Sequence, residues 1–566
     1  MASWTQLGLD INGEAANDQS GRSVSLSADG LTVAIGAALN VGNGNNSGHV
    51  RIYKWNGTSW NQLGLDIDGE ATNDNSGFSV SLSTDGLTVA IGAYGNDGNG
   101  NNSGHVRIYK WNGTSWNQLG LDIDGEAQWD QSGWSVSLSA DGTTVAIGAA
   151  LNVGNGRSNS GHVRIYNWNG TSWNQVGLDI DGEAANDQSG WSVSLSADGT
   201  TIAIGAYGND EYRTNSGHVR IYKWNGTSWN QLGSDINGER QNDNSGWSVS
   251  LSADGLTVAI GAYGNDGNVN NSGHVRIYKW NQNLLSWNQL GLDIDGEATN
   301  DYSGWSVSLS ADGTTLAIGA YGNDGNVNDS GYDSGHVRIY KWNGTSWNQV
   351  GSDIDGEAQW DESGRSVSLS ADGTTVAIGA YGNDGNGNNS GHVRIYKWVI
   401  PNFPICFPAG TPVQTDQGSI AIEKINLKTN TIRGKNIVAV TKTITIEDKI
   451  VCIEKDALGT NIPSQKTFIS RNHELFYNKQ MIKAKNLIGV VDGVYNKKYN
   501  GEILYNVLLD KHDKMIVNNL IVETLDPENI VAKLYNGGYS VEEKNNIIVN
   551  LNNGAKEYKK QFGKMR

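Results

Sequence analysis

The sequence predicts an all-β protein in two parts. The first is a seven-bladed β-propeller over residues 1–398, closed by its own N-terminal strand; after a linker at 399–405 comes a β-rich domain over 406–525, with a short helical tail at 526–566. Three observations lead there. One unit of about 56 residues recurs seven times, a period typical of propellers and solenoids. All six prolines lie at or after Pro401, so composition changes where the repeat ends. The seventh copy stops at Trp398 without its last strand, and the chain begins with that strand, Ser3-Trp4-Thr5-Gln6-Leu7-Gly8.

The repeat is marked by Ser-Gly-His-Val-Arg-Ile-Tyr, which sets His49, His105, His162, His218, His274, His336 and His392 in register. In the second copy, residues 77–83 alternate Ser with Val80 and Leu82, and Asp85-Gly86 turns the chain into the apolar run 88–93. A Gly/Asn-rich loop leads to a strand over 105–111, and Asn112-Gly113, a strong hairpin dipeptide, leads into a fourth strand over 115–120. Four antiparallel strands repeated seven times give the propeller. Small Ser and Ala side chains suit the crowded axis, and Tyr109, Trp111 and Trp116 suit the rim. Either Tyr109 or Trp111 faces Trp116 across the hairpin, a pair worth about 0.2–1 kcal/mol.

Charge divides at the same boundary. Residues 406–566 carry 23 Lys+Arg against 17 Asp+Glu, whereas the repeat carries 18 against 42. So acidic a surface repels nucleic acid, and the small basic surplus beyond it reads as solvated surface. Cys406 and Cys452 make no disulfide framework. No apolar run reaches the roughly 18 residues of a membrane span, and Met1-Ala2-Ser3-Trp4 has no signal-peptide character. The expectation is synthesis as a soluble product, with the final compartment open.

The order Ser-Gly-Trp-Ser-Val, Ala-Asp-Gly, Val-Ala-Ile-Gly-Ala, Gly-His-Val-Arg-Ile-Tyr resembles the FG-GAP repeat of integrin-type propellers, with Gly-Ala-Tyr where that family has Gly-Ala-Pro. The resemblance implies a binding head for protein or glycan and raises Ca2+ as a ligand. The loop that holds calcium in that family is here only Ala-Asp-Gly, too short for six oxygens. Another loop keeps its acids: Asp66, Asp68, Glu70 and Asp74 recur as Asp122, Asp124, Glu126 and Asp130. Acids at positions 1, 3 and 5 about a Gly turn either bind a cation or bond turn amides. The seven histidines are read as a repeated inter-blade hydrogen bond rather than a ligand ring. Copies differ at Arg22, Phe78, Trp134, Trp191, Trp247, Trp305 and Arg365, with Trp129 and Trp360 nearby. These side chains either form an aromatic recognition surface or pack between blades.

Beyond the linker, three blocks stand in order. The first is Cys406-Phe407-Pro408-Ala409-Gly410-Thr411-Pro412-Val413; the second, Phe468-Ile469-Ser470-Arg471-Asn472-His473-Glu474-Leu475; the third, Leu504-Tyr505-Asn506-Val507-Leu508-Leu509, followed by His512. They resemble the Hedgehog/intein (Hint) self-processing domain. The resemblance implies that Cys406 attacks the carbonyl of Ile405 and converts the Ile405–Cys406 amide to a thioester. It assigns Ser470 and backbone amides to the oxyanion and His473 to protonation of the departing amine, with His512 a further catalytic candidate. Cleavage needs no cofactor, and the acyl acceptor is water or another nucleophile.

Departures narrow this expectation. Inteins end in His-Asn, where Asn cyclises, and the aligned residues here are Glu523-Thr524, so full splicing is not expected. The strand that carries the sterol-activating Asp of Hedgehog reads Val440-Thr441-Lys442-Thr443, with Asp448 the nearest substitute, and sterol transfer is not expected. β-Branched Ile405 crowds the attack, and Cys452 reads as core. The pairing of domains is similar to Hint-bearing proteins of large DNA viruses, which implies a virion or cell surface. The rival expectation is a non-enzymatic adhesin, lectin-like or capsid-surface protein whose Hint unit is structural.

Overall fold

The computed structural model describes residues 3–325, 332–399, 406–443, 449–511 and 513–525. One compact unit is Trp4–Trp398, and the second begins at Val399. Linker residues 400–405 and the expected helical tail lie outside the described residues.

The repeat forms seven sheets, each of five strands. In the second copy the order from the axis outward is Ser79–Leu82, Thr88–Ala93, His105–Trp111 and Trp116–Gln118. A two-residue segment adds to these four strands in each sheet. Ile123–Asp124, inside the acid-rich segment taken for a loop, pairs with His105 and Val106. The outer strand is thus split into two pieces that pair with one neighbour. The physical reason is Ile123, which is buried in the core and pulls the segment back onto the sheet.

Register settles the hairpin pair. Trp111 lies opposite Trp116, with ring centroids 5.5 Å apart. Tyr109 lies opposite Gln118.

Apolar cores sit between blades rather than within them. One cluster joins Ala34, Val50, Ile52 and Ile67 of the first blade to Val80, Leu82, Val89 and Ile91 of the second, and the same arrangement recurs round the ring. Three closed hydrogen-bond circuits run with the cores. At the axis, each innermost strand offers a Ser Oγ to the Leu amide of the next blade, from Leu82 N to Ser25 through to Leu26 N to Ser368, all at 2.9 Å. One turn further out, backbone bonds link Ala28 to Thr84, Ala140, Ala197, Ala253, Ala311, Ala371 and back to Ala28. At the rim one Trp Nε1 of each blade donates to the preceding blade, as Trp116 does to Leu63 O at 2.7 Å. Blades approach so closely that a Cβ at Gly92 would lie 2.0 Å from Gly133 O, which requires Gly there.

The N-terminus closes the ring as expected. Ser3–Gln6 and Ile11–Asn12 both pair with His392–Val399 of the last blade. Trp4 Nε1 donates to Val350 O at 2.8 Å, and Ile11 enters the core between the last and first blades.

The second unit is also β-rich, in sheets of four, six and three, with short 3-10 turns at Ile422–Lys424 and Ala484–Leu487. Phe407–Pro408 pairs with Leu504–Leu509, which pairs in turn with Lys435–Thr443. The first described residues therefore lie beside the third sequence block. Phe407, Val413, Ile469, Leu475, Val507, Met515 and Val522 belong to one buried core. That core brings all three blocks together.

Candidate functional site

Cys406 is buried, only 1 % exposed, at the head of the strand Phe407–Pro408. Ser470 follows the strand Thr467–Ile469 and brackets it with two hydrogen bonds. The Cys406 amide donates to Ser470 Oγ at 2.8 Å, and the Ser470 amide donates to Cys406 O at 3.0 Å. Ser470, expected at the oxyanion, is held against the amide of Cys406. Its hydroxyl oxygen sits on the nitrogen of Cys406, the leaving side of the bond.

The chain then turns, with His473 N donating to Ser470 O at 3.2 Å. The imidazole of His473 is fully buried, packed at 4.6 Å against Phe407, the residue after Cys406. Its Nε2 is 3.1 Å from Glu523 O. A carbonyl only accepts, so Nε2 carries the hydrogen and Nδ1 of the neutral ring carries the lone pair. Nδ1 is buried with no hydrogen-bond partner among the described residues. Burial pushes the His473 pKa down to about 3, only partly offset by the Glu523 carbonyl. The ring is therefore neutral near pH 7, a base before it is an acid.

The main-chain carbonyl of Glu523 thus lies next to this imidazole. Thr524 is buried and bonded to Asp513. Ile405, His512 and Asp448 lie outside the described residues. Cys452 is fully buried in the strand Lys449–Ile453, as a core residue would be.

Two polar residues not singled out from the sequence complete the picture. Thr441 and Asn506 are fully buried and directly opposite in register. Thr441 Oγ1 and Asn506 Nδ2 have no hydrogen-bond partner among the described residues. Alternation along Leu504–Leu509 puts Asn506 on the same face as Leu504, which packs with Cys406. Their signal was polarity inside apolar runs, Val440-Thr441 and Tyr505-Asn506-Val507.

In the propeller, the acids disperse by seam rather than converging on one turn. Asp74 and Asp130 accept turn amides, from Ala71 N at 2.9 Å and Ala127 N at 2.8 Å. Asp66 and Asp122 accept from Gln62 and Gln118 and face His49 and His105 of their own blades. Glu70 and Glu126 reach the next blade, to Arg107 and Arg164. Asp68 and Asp124 offer main-chain carbonyls to the same two arginines. Burial and the neighbouring Asp66 push the Asp68 carboxyl up, and burial and Asp122 do the same for Asp124.

The inter-blade bond expected of histidine is made instead by the arginine two residues on, as from Arg107 Nη2 to Asp68 O at 2.6 Å. A planar guanidinium reaches across a seam that an imidazole on the shorter stem does not. His105 Nδ1 stands 3.9 Å from both Glu70 and Asp122, beyond hydrogen-bonding range. Burial, then Arg107, pushes its pKa down to about 4.

The aromatic residues divide. Phe78, Trp134, Trp191, Trp247 and Trp305 form a belt from blade to blade, with successive centroids 4.4–4.6 Å apart. Arg22 lies over Phe78 at 4.5 Å and Arg365 over Trp305 at 4.0 Å, capping its two ends. Burial, then Arg365, pushes Arg22 down to about 10. Trp129 and Trp360 stand apart from the belt, 50 % and 56 % exposed. Trp360 stacks on Tyr332.

These two architectures define a repeat propeller joined to a self-contained β-domain. A family model described as the Hint domain matches residues 405–529. The FG-GAP repeat matches residues 66–109, 178–222, 237–278, 293–340 and 353–396. The chain is an FG-GAP repeat propeller fused to a Hint domain. Each matched repeat starts at or near the split outer strand of one blade and ends in the third strand of the next, so the sequence repeat straddles a seam. No curated protein matched the chain. No helix among the described residues is long and apolar enough to cross a membrane.

Proposed function

We propose that the chain is a self-cleaving precursor whose Hint domain breaks the Ile405–Cys406 bond and releases or transfers the propeller. The observation that carries this reading is the Cys406 amide nitrogen held by Ser470 Oγ at 2.8 Å, with the neutral imidazole of His473 in the turn that follows. Nδ1 of His473 takes the thiol proton of Cys406 as sulfur attacks the carbonyl carbon of Ile405. Asn506 Nδ2 and Thr441 Oγ1, both buried donors, steady the oxyanion. The proton passes from His473 to the Cys406 nitrogen, the C–N bond breaks, and Ile405 is left as a thioester with a free α-amine on Cys406.

Water, or another nucleophile, then takes the acyl group and restores the thiol. Thr524 has no carboxamide to cyclise, so the sequence ends at cleavage or transfer rather than splicing. The propeller is the cargo, a head for protein or glycan at a virion or cell surface.

The test is expression of the full chain with and without dithiothreitol or hydroxylamine. A fragment of residues 1–405 that rises with the added nucleophile and is absent in Cys406→Ala supports the reading. A chain that stays intact in both refutes it. In that event the second reading stands, an adhesin acting through the propeller with a structural Hint unit, favoured by the exposure of Trp129 and Trp360.

A further inference from the structure

The seams of the propeller repeat a trio of Glu, His and Asp, as in Glu14-His49-Asp66, Glu70-His105-Asp122 and Glu126-His162-Asp179. The seam between the third and fourth blades departs from this pattern. Its loop reads Gly208-Asn209-Asp210-Glu211-Tyr212, where the second copy has Gly95-Asn96-Asp97-Gly98-Asn99. Glu211 thus adds a carboxylate, and the ligand atoms of Glu183, Glu211, His218 and Asp235 all lie within 4.8 Å of one another.

The imidazole at the centre points to a ligand independently of the acids. His218 is 0 % exposed, and neither Nδ1 nor Nε2 has a hydrogen-bond partner among the described residues. Its Nδ1 is 3.8 Å from Asp235 Oδ2, too far for a hydrogen bond and close to the spacing of two ligands about one ion. Asn237 lies directly opposite His218 in the sheet, and its Oδ1 is buried without a hydrogen-bond partner among the described residues.

Charge agrees with geometry. Three carboxylates meet there, and Arg220 Nη1, 3.5 Å from Glu183 Oε1, neutralises one. Asp187 accepts the Glu183 amide, and Arg157 donates to the Glu183 carbonyl, so both of these are otherwise engaged. A net charge near −2 on one nitrogen and three carboxylate ligands suits a divalent first-row transition ion better than calcium, which prefers an all-oxygen shell.

We propose that Glu183, Glu211, His218 and Asp235 form a site for a divalent transition-metal ion such as Zn2+ or Co2+, clamping the third blade to the fourth. The site is independent of the cleavage reaction. The experiment is calorimetric titration of the full chain, stripped with chelator and desalted, with Zn2+, and parallel titration with Co2+ followed by its visible absorption.

One tight site per chain is expected, weakened at least about tenfold by Glu211→Gln and left unchanged by Glu126→Gln in the preceding seam. His218→Ala should abolish it, and Glu211→Gln, an exposed loop change, keeps the test valid if the buried His variant misfolds. Absence of saturable uptake, indifference to Glu211→Gln, or equal loss in Glu126→Gln would each overturn the proposal.

Discussion

The propeller says everything seven times, and the Hint domain says everything once. In the ring, a side chain present in every copy serves the ring, because its partner is present in every copy as well. The Ser hydroxyls at the axis, the Trp indoles at the rim and the seam arginines all bond a neighbouring blade. Specificity is therefore sought where copies differ, at Glu211, at the arginines that cap the aromatic belt, and at Trp129 and Trp360. The Hint domain offers no internal control. Its buried polar groups, His473 Nδ1, Thr441 Oγ1 and Asn506 Nδ2, serve no repeated lattice.

The sharpest way to break this comparison is to open the ring. Removing residues 1–10 deletes a rim strand and Trp4, whose indole both packs in a seam and bonds Val350. Loss of a packed Trp alone costs about 3–5 kcal/mol. All 20 tryptophans lie at or before Trp398, so fluorescence during urea unfolding reports the propeller alone. The propeller midpoint should fall steeply in the truncated chain, and an unchanged midpoint would mean that the closure carries no weight.

Next in size is Asn506→Leu, which removes a buried donor without altering the thiol. If Asn506 steadies the oxyanion, formation of the 1–405 fragment slows by about 10²–10³-fold. If the residue is only structural, cleavage and domain stability fall together. Cleavage at an unchanged rate would remove Asn506 from the mechanism.

Acid should separate the regions less dramatically. Seven seam histidines, including His49, His105 and His162, are held near pKa 4 by burial and by the neighbouring arginine, against about 6.5 when unfolded. The unfolded chain then binds more protons, so stability is in full force above about pH 6.5 and falls as pH drops toward 4. Seam carboxyls such as Glu14 and Glu70, pushed up by burial, act in the opposite sense at the lower end. The urea midpoint by fluorescence should be lower at pH 5 than at pH 7. The Hint domain, with the single described histidine His473, should lose less by a probe specific to it.

How much of this was legible follows from the same contrast. Blade number, closure by the first strand and the aromatic hairpin were readable, because strand alternation and turn dipeptides act locally and the repeat multiplied each signal. The fifth strand was not, since Ile123-Asp124 is too short to show alternation and is held only by its neighbour's register. Assigning the seam bond to histidine failed because both residues recur identically, and only three-dimensional reach distinguishes His105 from Arg107. In the Hint domain the motif located Cys406, Ser470 and His473. The bond between Ser470 Oγ and the Cys406 amide was not legible there, and the carbonyl of Glu523 that fixes the imidazole is main chain and leaves no trace in residue identity.

The smallest expected effect tests whether the ring is seven equal bonds or one cooperative circuit. Ser194→Ala removes the acceptor for Leu251 N, a 2.9 Å bond at the axis, and leaves a buried amide unsatisfied at a cost of about 1–3 kcal/mol. Ser81→Ala does the same to Leu138 N and, its surroundings being a copy, should cost the same. The two changes share no partner, because Ser137 accepts from Leu195 between them. Independent bonds therefore predict a double variant whose loss is the sum within about 0.5 kcal/mol. A loss well below the sum would mean that breaking one axial bond already relaxes the whole circuit, and repetition would then be a property of the ring rather than of the blade.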